Sequence, residues 1–228
     1  MKMIRFTSLV IVLAAFLFCA PKASAQVEIG VKVAPSFSFA RTIAKEQYNL
    51  QNKGSNLNFG VGIIADYFFG ANYALSSGLI FNTKGSTISF DYTADDAMGV
   101  RQTGENDINL QYLEIPVTLK LFTNEVSQGT RLYFQAGPSL NTMLAAKFDD
   151  RKVQPNGDKY TKDFNLFEIS LLLGAGAEWE LGQSTKLFAG LSYHRGLTDF
   201  DELYEKRFGD KKIELKNNSV AVDLGIKF

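Results

Sequence analysis

Few residues in this sequence could do covalent chemistry. One Cys (Cys19) and one His (His194) exclude a disulfide framework and any zinc site built from several Cys and His ligands. Ser192 and His194 stand two apart on a stretch of alternating polarity, the beginnings of a hydrolase pair. A working pair also needs a third group and an oxyanion site. The alternation places both residues in the polar phase, so His194 is expected to be an interior, hydrogen-bonded histidine. Asp91, Asp95, Asp96, Glu105 and Asp107 form an acidic stretch with some pull on a divalent cation, but Asp96 stands where a calcium loop requires Gly. That stretch reads as a solvated loop. Phe200, Leu203 and Tyr204, followed by Glu205, Lys206 and Arg207, read as a short helical turn or a docking patch. No cofactor, metal or catalytic residue is expected.

The remaining chemistry is electrostatic. With 24 Lys+Arg against 24 Asp+Glu, the chain has no net pull toward nucleic acid. Glu28, Asp66, Glu114, Glu178, Glu180 and Asp223 share one phase of an alternating pattern with Lys32, Lys84, Lys120, Arg131 and Lys227. Acids and bases in that set nearly cancel. Charges withdrawn from water persist when paired and hydrogen-bonded, so the set predicts an internal network, with Glu114 and Lys120 among its members.

The elements that must position this network begin after a targeting segment. Lys2 and Arg5, the apolar run Phe6 to Ala20 and the small residues Ala23-Ser24-Ala25 have the pattern of a cleaved signal peptide, 1–25, ahead of a mature domain, 26–228. A lipid anchor at Cys19 is disfavoured by the bulky Phe18 before it. Cleavage would remove three bases and no acid, leaving the mature chain slightly acidic. No later apolar run approaches the roughly 18 to 20 residues of a membrane helix. An exported chain of this kind is then either soluble or a closed β-barrel, the other structure that leaves no backbone group unpaired in lipid.

A period of two recurs in eight segments, beginning with Val27, Ile29, Val31, Val33, Phe37 and Phe39 against Glu28, Gly30, Lys32, Ser36 and Ser38. It ends with Val220, Val222, Leu224, Ile226 and Phe228 against Ser219, Asp223, Gly225 and Lys227. Each segment offers about 12 residues, enough for the ~9 to 11 of a tilted membrane strand. Short links near 70–72, 123–130 and 182–185 interleave with long ones at 40–56, 86–109, 147–164 and 199–216. An even strand count with long loops at one end only is the outer-membrane arrangement.

Glycine placement decides which face is inside. Gly30, Gly60, Gly62, Gly78, Gly137, Gly174, Gly176, Gly190 and Gly225 fall in the polar phase, as a narrow eight-strand interior requires. A soluble carrier barrel would instead line its cavity with the apolar set. Aromatic residues gather at both ends of the apolar face, as two interfacial girdles would. Pro35, Pro116 and Pro138 fall inside strands, where bulges are expected. Phe68, Ile80, Leu172 and Phe188 take inward phase, which suggests register shifts or apolar packing near the periplasmic floor.

Tyr112-Leu113-Glu114-Ile115-Pro116 with Lys120, Gly78-Leu79-Ile80-Phe81 leading to Lys84-Gly85, Gly137-Pro138, and Tyr193-His194-Arg195-Gly196-Leu197-Thr198 resemble the PorT-type outer-membrane β-barrel family, over nearly the whole mature chain. The resemblance implies location and fold and carries no catalytic set. The terminal aromatic, Phe228, is similar to the signal read by the barrel-assembly machinery.

The expectation is an all-β, eight-stranded antiparallel transmembrane barrel in the outer membrane of a Gram-negative cell. Its lumen network is Glu28, Lys32, Asp66, Lys84, Glu114, Lys120, Glu178 and Asp223, its partners outer-membrane lipid and the assembly machinery, and its working surface the long loops. An extracellular or secretion partner would dock on those loops. The alternatives are a secretion accessory, an outer-membrane lipid-modifying hydrolase and a soluble periplasmic carrier.

Overall fold

Alternation at a period of two is realised as eight antiparallel strands, each paired with its sequence neighbour, and β1 closes on β8. The computed structural model describes residues 26–93, 101–155, 157–182 and 184–228. Residues 1–25, expected above to be a signal peptide and including Cys19, lie outside the described residues, as do Asp95 and Asp96. The strands are β1 (Gln26–Ile43), β2 (Gln51–Gly70), β3 (Tyr73–Thr93), β4 (Arg101–Phe122), β5 (Thr130–Phe148), β6 (Phe167–Glu180), β7 (Lys186–Gly196) and β8 (Glu214–Lys227). A six-residue helix, α1 (Leu203–Phe208), lies between β7 and β8.

Seven strands exceed the expected length of about 12 residues, β6 and β8 slightly at 14 and β1 to β5 by far, reaching 22 in β4. The long connections shrink accordingly: β1 and β2 are joined by residues 44–50 rather than 40–56. The inward face explains the extension. Along β4 the buried residues are Ile108, Leu110 and Tyr112, then Glu114, Thr118 and Lys120, and finally Phe122. The inward column is therefore apolar at the long-loop end, polar through the middle and aromatic at the short-turn end. An apolar inner face above the bilayer gives the protruding strands a core to pack on. Their solvent side turns polar there: Asp91 and Asp107 lie on paired strands, accepting hydrogen bonds from Thr103 at 2.8 Å and Thr87 at 2.5 Å. Of the acidic stretch, Asp91, Glu105 and Asp107 thus lie on strands rather than in a loop.

Within the bilayer the outward face is apolar. Val31, Leu79, Val117, Leu173 and Leu224 are all exposed on it. Tyr67, Phe69, Tyr73, Trp179 and Phe228 mark the short-turn end, and Phe37, Phe59 and Phe81 the opposite end. A side-chain face so apolar is stable only against hydrocarbon, and the carrier alternative, which needed it inside, fails.

Prolines are accommodated differently from expectation. Around Pro116 the β3–β4 ladder opens between Ser77↔Val117 and Ile80↔Glu114 and resumes in the same register, without a bulge. The Ser77 hydroxyl donates to the freed Pro116 carbonyl at 2.9 Å. Bulges occur elsewhere, on β2 between Ser55 and Gly60 and on β5 opposite Gln111–Tyr112. Phe68, Ile80 and Phe188 keep inward phase and pack with Ile64, Ala74, Phe122 and Tyr133, so apolar packing, not a register shift, places them inside.

Candidate functional site: the barrel interior

Because the strands alternate strictly, polar residues from all eight converge on the axis. Nearest the short turns, Lys227 reaches Glu28 at 3.2 Å and Asp66 at 2.8 Å and also contacts Glu178. Lys120 bridges Asp66 and Glu178 at 3.1 Å each. Ser76 donates to Asp66 at 2.5 Å, and Lys186 closes the rim with Glu28 at 2.6 Å. Two lysines thus share three carboxylates, all nearly inaccessible to solvent. The Lys120 ammonium also lies 4.2 Å from the Tyr133 ring centroid, where the ring face offers negative charge. Tyr133 has room because Gly176 and Gly190 lie beside it, where a Cβ would collide with its hydroxyl.

Higher in the barrel Lys32 pairs with Asp223 at 3.1 Å. Glu114 accepts from Asn82 at 2.9 Å and Ser139 at 2.8 Å, with His194 Nδ1 3.3 Å away. Above it Lys84 pairs with Glu168 at 2.8 Å and donates to Asn141 at 3.2 Å, while Asn217 donates to Glu168 at 2.6 Å. Such pairing is what lets charges persist away from water.

All eight residues expected in the network lie inside and buried. Glu114 and Lys120 belong to different layers and do not pair with each other. Glu180 is exposed at the short-turn rim, 4.0 Å from Lys186, because strand pairing ends there. Among the described residues Arg131 pairs with no acid: its guanidinium covers Phe122 at 4.8 Å and donates to the Ala71 and Thr123 carbonyls. Sequence reasoning missed Glu168 because it began the sixth strand at Ile169. Carrying the alternation back one residue would have placed Glu168 inward.

Apolar groups close both ends. Toward the long loops Ile88, Phe90, Ile108, Leu110, Met143 and Leu215 pack with Phe200 and Tyr204 from the β7–β8 connection. Asp201 holds that connection in place, accepting from the Leu203 and Tyr204 amides at 3.1 and 2.9 Å. Burial drives its carboxyl up to about 7, against the pull of those amides. Between cap and floor the interior retains cavities of about 30 and 10 Å³, the larger bordered by Lys32, Lys120, Tyr133 and Asp223. Each holds at most about a single water molecule.

Ser192 and His194 are buried in the lumen, away from lipid, and among the described residues the Ser192 hydroxyl has no hydrogen-bond partner, so the pair is not arranged as the hydrolase alternative needs. Among the described residues no group of three or more His, Cys, Asp or Glu is placed to hold a metal.

Comparison with known proteins agrees with this geometry. The chain superposes on Neisserial surface protein A from Neisseria with a TM-score of 0.51 and 14% identity, covering 89% of this chain and 97% of that one. Two further similar structures are Ail, the attachment invasion locus protein of Yersinia pestis (TM-score 0.39, 14% identity, covering 89% and 99%), and the N-terminal β-barrel domain of Pseudomonas aeruginosa OprF (TM-score 0.35, 12% identity, covering 87% and 98%). No curated protein matches the sequence. The family model described as "Outer membrane protein beta-barrel domain" matches residues 20–202. This chain, with its eight-stranded barrel, belongs to that family, as a protein of the Gram-negative outer membrane.

Proposed function

We propose that the protein is a non-conducting, non-catalytic barrel that carries a structured extracellular surface for interaction. The observation behind this reading is the stacking of the interior: apolar cap, paired-charge layers and aromatic floor, with cavities of about 30 and 10 Å³ between them and a wider hollow only at the open short-turn rim beside Glu28 and Lys186. Lys32, Lys84, Lys120 and Lys227 with Glu28, Asp66, Glu114, Glu178 and Asp223 then serve as filling, not as an ion path. Above the bilayer, strands packed on a core hold the extracellular end in fixed shape, which suits recognition of a partner. The narrower PorT-type resemblance favours a partner in protein secretion.

The mature domain in this reading is 26–228, released from signal peptide 1–25. Phe228, exposed on the lipid side with its backbone paired to Ile29 at 2.8 Å, is the signal for the assembly machinery. Planar-bilayer recording of the purified, refolded barrel tests the function. No stable conductance is expected, and a long-lived open pore of porin size would overturn the reading.

A further inference from the structure

On the outward face, immediately beyond the upper aromatic residues of β1, β7 and β8, three basic residues come together. Arg41 is the register partner of Lys216 across β1–β8, and Arg195 is the partner of Asn218 across β7–β8. The Arg41 guanidinium extends over β8 and donates to the carbonyl of Gly196, the residue next to Arg195, at 3.3 Å. Two acids stand nearby: Glu214, held by Lys216 at 2.7 Å, and Asp199, which accepts from the Leu215 amide at 2.8 Å. Arg195 is exposed, and no salt bridge to it is found among the described residues. Among the described residues neither Arg41 nor Arg195 is found in a salt bridge, and the Arg41 guanidinium reaches the residue next to Arg195. Among the described residues the Arg41 Nε and the Asn218 Oδ1, both buried, also find no hydrogen-bond partner.

The height of this cluster selects its ligand. Phe37 and Val220, register partners, are lipid-facing below it, and Leu197 is exposed beside it. The cluster therefore lies where the hydrocarbon ends and lipid headgroups begin. On β2, β3 and β4 the first outward positions past the apolar band are Ser55, Thr83 and Gln111, all uncharged, so the basic collar belongs to one seam. Planar guanidinium groups pair bidentately with phosphate.

We propose that the β7–β8–β1 seam binds a phosphorylated headgroup of an outer-leaflet lipid, with Arg41 and Arg195 as its phosphate ligands and Lys216 as a supporting cation. Native mass spectrometry of the full barrel in detergent tests this, with diphosphoryl lipid A, the same lipid after phosphate removal, and inorganic phosphate as probes. Wild type should retain the phosphorylated lipid at least about 25-fold better than the dephosphorylated one, and inorganic phosphate should not displace it. Each surface arginine contributes about fivefold, so Arg195→Gln should lose about fivefold and Arg41→Gln with Arg195→Gln about 25-fold. Lys53→Gln, on the outward face of β2, should leave retention unchanged. Arg195 makes no bond that folding requires, so its single variant carries the test even if the double variant fails to assemble. Unchanged retention in Arg195→Gln, or equal retention of the dephosphorylated lipid, would overturn the proposal. Displacement by inorganic phosphate would also overturn it, in favour of a site for free anions.

Discussion

Replacing Lys227 by Met is the sharpest probe of the interior. The Lys227 ammonium is fully buried and touches Glu28, Asp66 and Glu178. At an effective dielectric of about 20, its attraction to Glu28 at 3.2 Å and Asp66 at 2.8 Å is roughly 5 and 6 kcal/mol. Desolvation of the charges offsets much of that gross attraction, and Lys120 still holds Asp66 and Glu178 in the variant. The net expectation is the cost of leaving buried carboxylates short of a cation, about 3 to 5 kcal/mol. Denaturant unfolding of the barrel refolded into phospholipid vesicles would measure it. Adding Asp66→Asn to Lys227→Met should recover about 1 kcal/mol or more, because neighbours in one network are coupled. Lys162→Met, which breaks a solvent-exposed pair with Asp158 at 2.6 Å, should cost less than about 1 kcal/mol. If Lys227→Met cost no more than Lys162→Met, the interior would be wet and screened, and the filled-lumen reading would be wrong.

Two other outcomes follow from the same geometry. Burial raises the carboxyls of Asp199 to about 6 and Asp201 to about 7, with Glu205 and Glu214 adding repulsion at Asp199 and Asp199 adding it at Asp201. The folded connection therefore binds protons more tightly than the unfolded chain, and its stability declines as pH rises from about 4 through about 7. Hydrogen exchange at the Leu203 and Tyr204 amides should be slower at pH 5 than at pH 8 after correction for intrinsic rates. Asp201→Asn should flatten the difference, and faster corrected exchange at pH 5 would refute it. Gly190→Val should destabilise the barrel by about 1 to 3 kcal/mol, since its Cβ would meet the Tyr133 hydroxyl and the Ala175 carbonyl. Loss of folded, heat-modifiable protein on gels reads this out, and wild-type stability would show that Tyr133 can move aside.

The sequence by itself carried the strand count, the closed barrel and the side that faces lipid. These depend on a period of two, which is local: from Val27 to Phe39 or Leu113 to Leu121 every second residue declares its environment. It also placed Glu28, Lys32, Asp66, Lys84, Glu114, Lys120, Glu178 and Asp223 inside, because phase is inherited along a strand. Partners were not legible. That Lys227 serves three acids from β1, β2 and β6, or that Glu168 answers Lys84 across 84 residues of chain, depends on barrel stagger, which no single strand encodes. The strand ends were misjudged for a related reason. Ile108 and Leu110 continue the inward phase of Glu114, but only closure of the barrel and the return of Phe200 and Tyr204 over the mouth turn that phase into a core above the membrane. Alternation fixes which way a side chain points, and tertiary structure alone decides what it meets there.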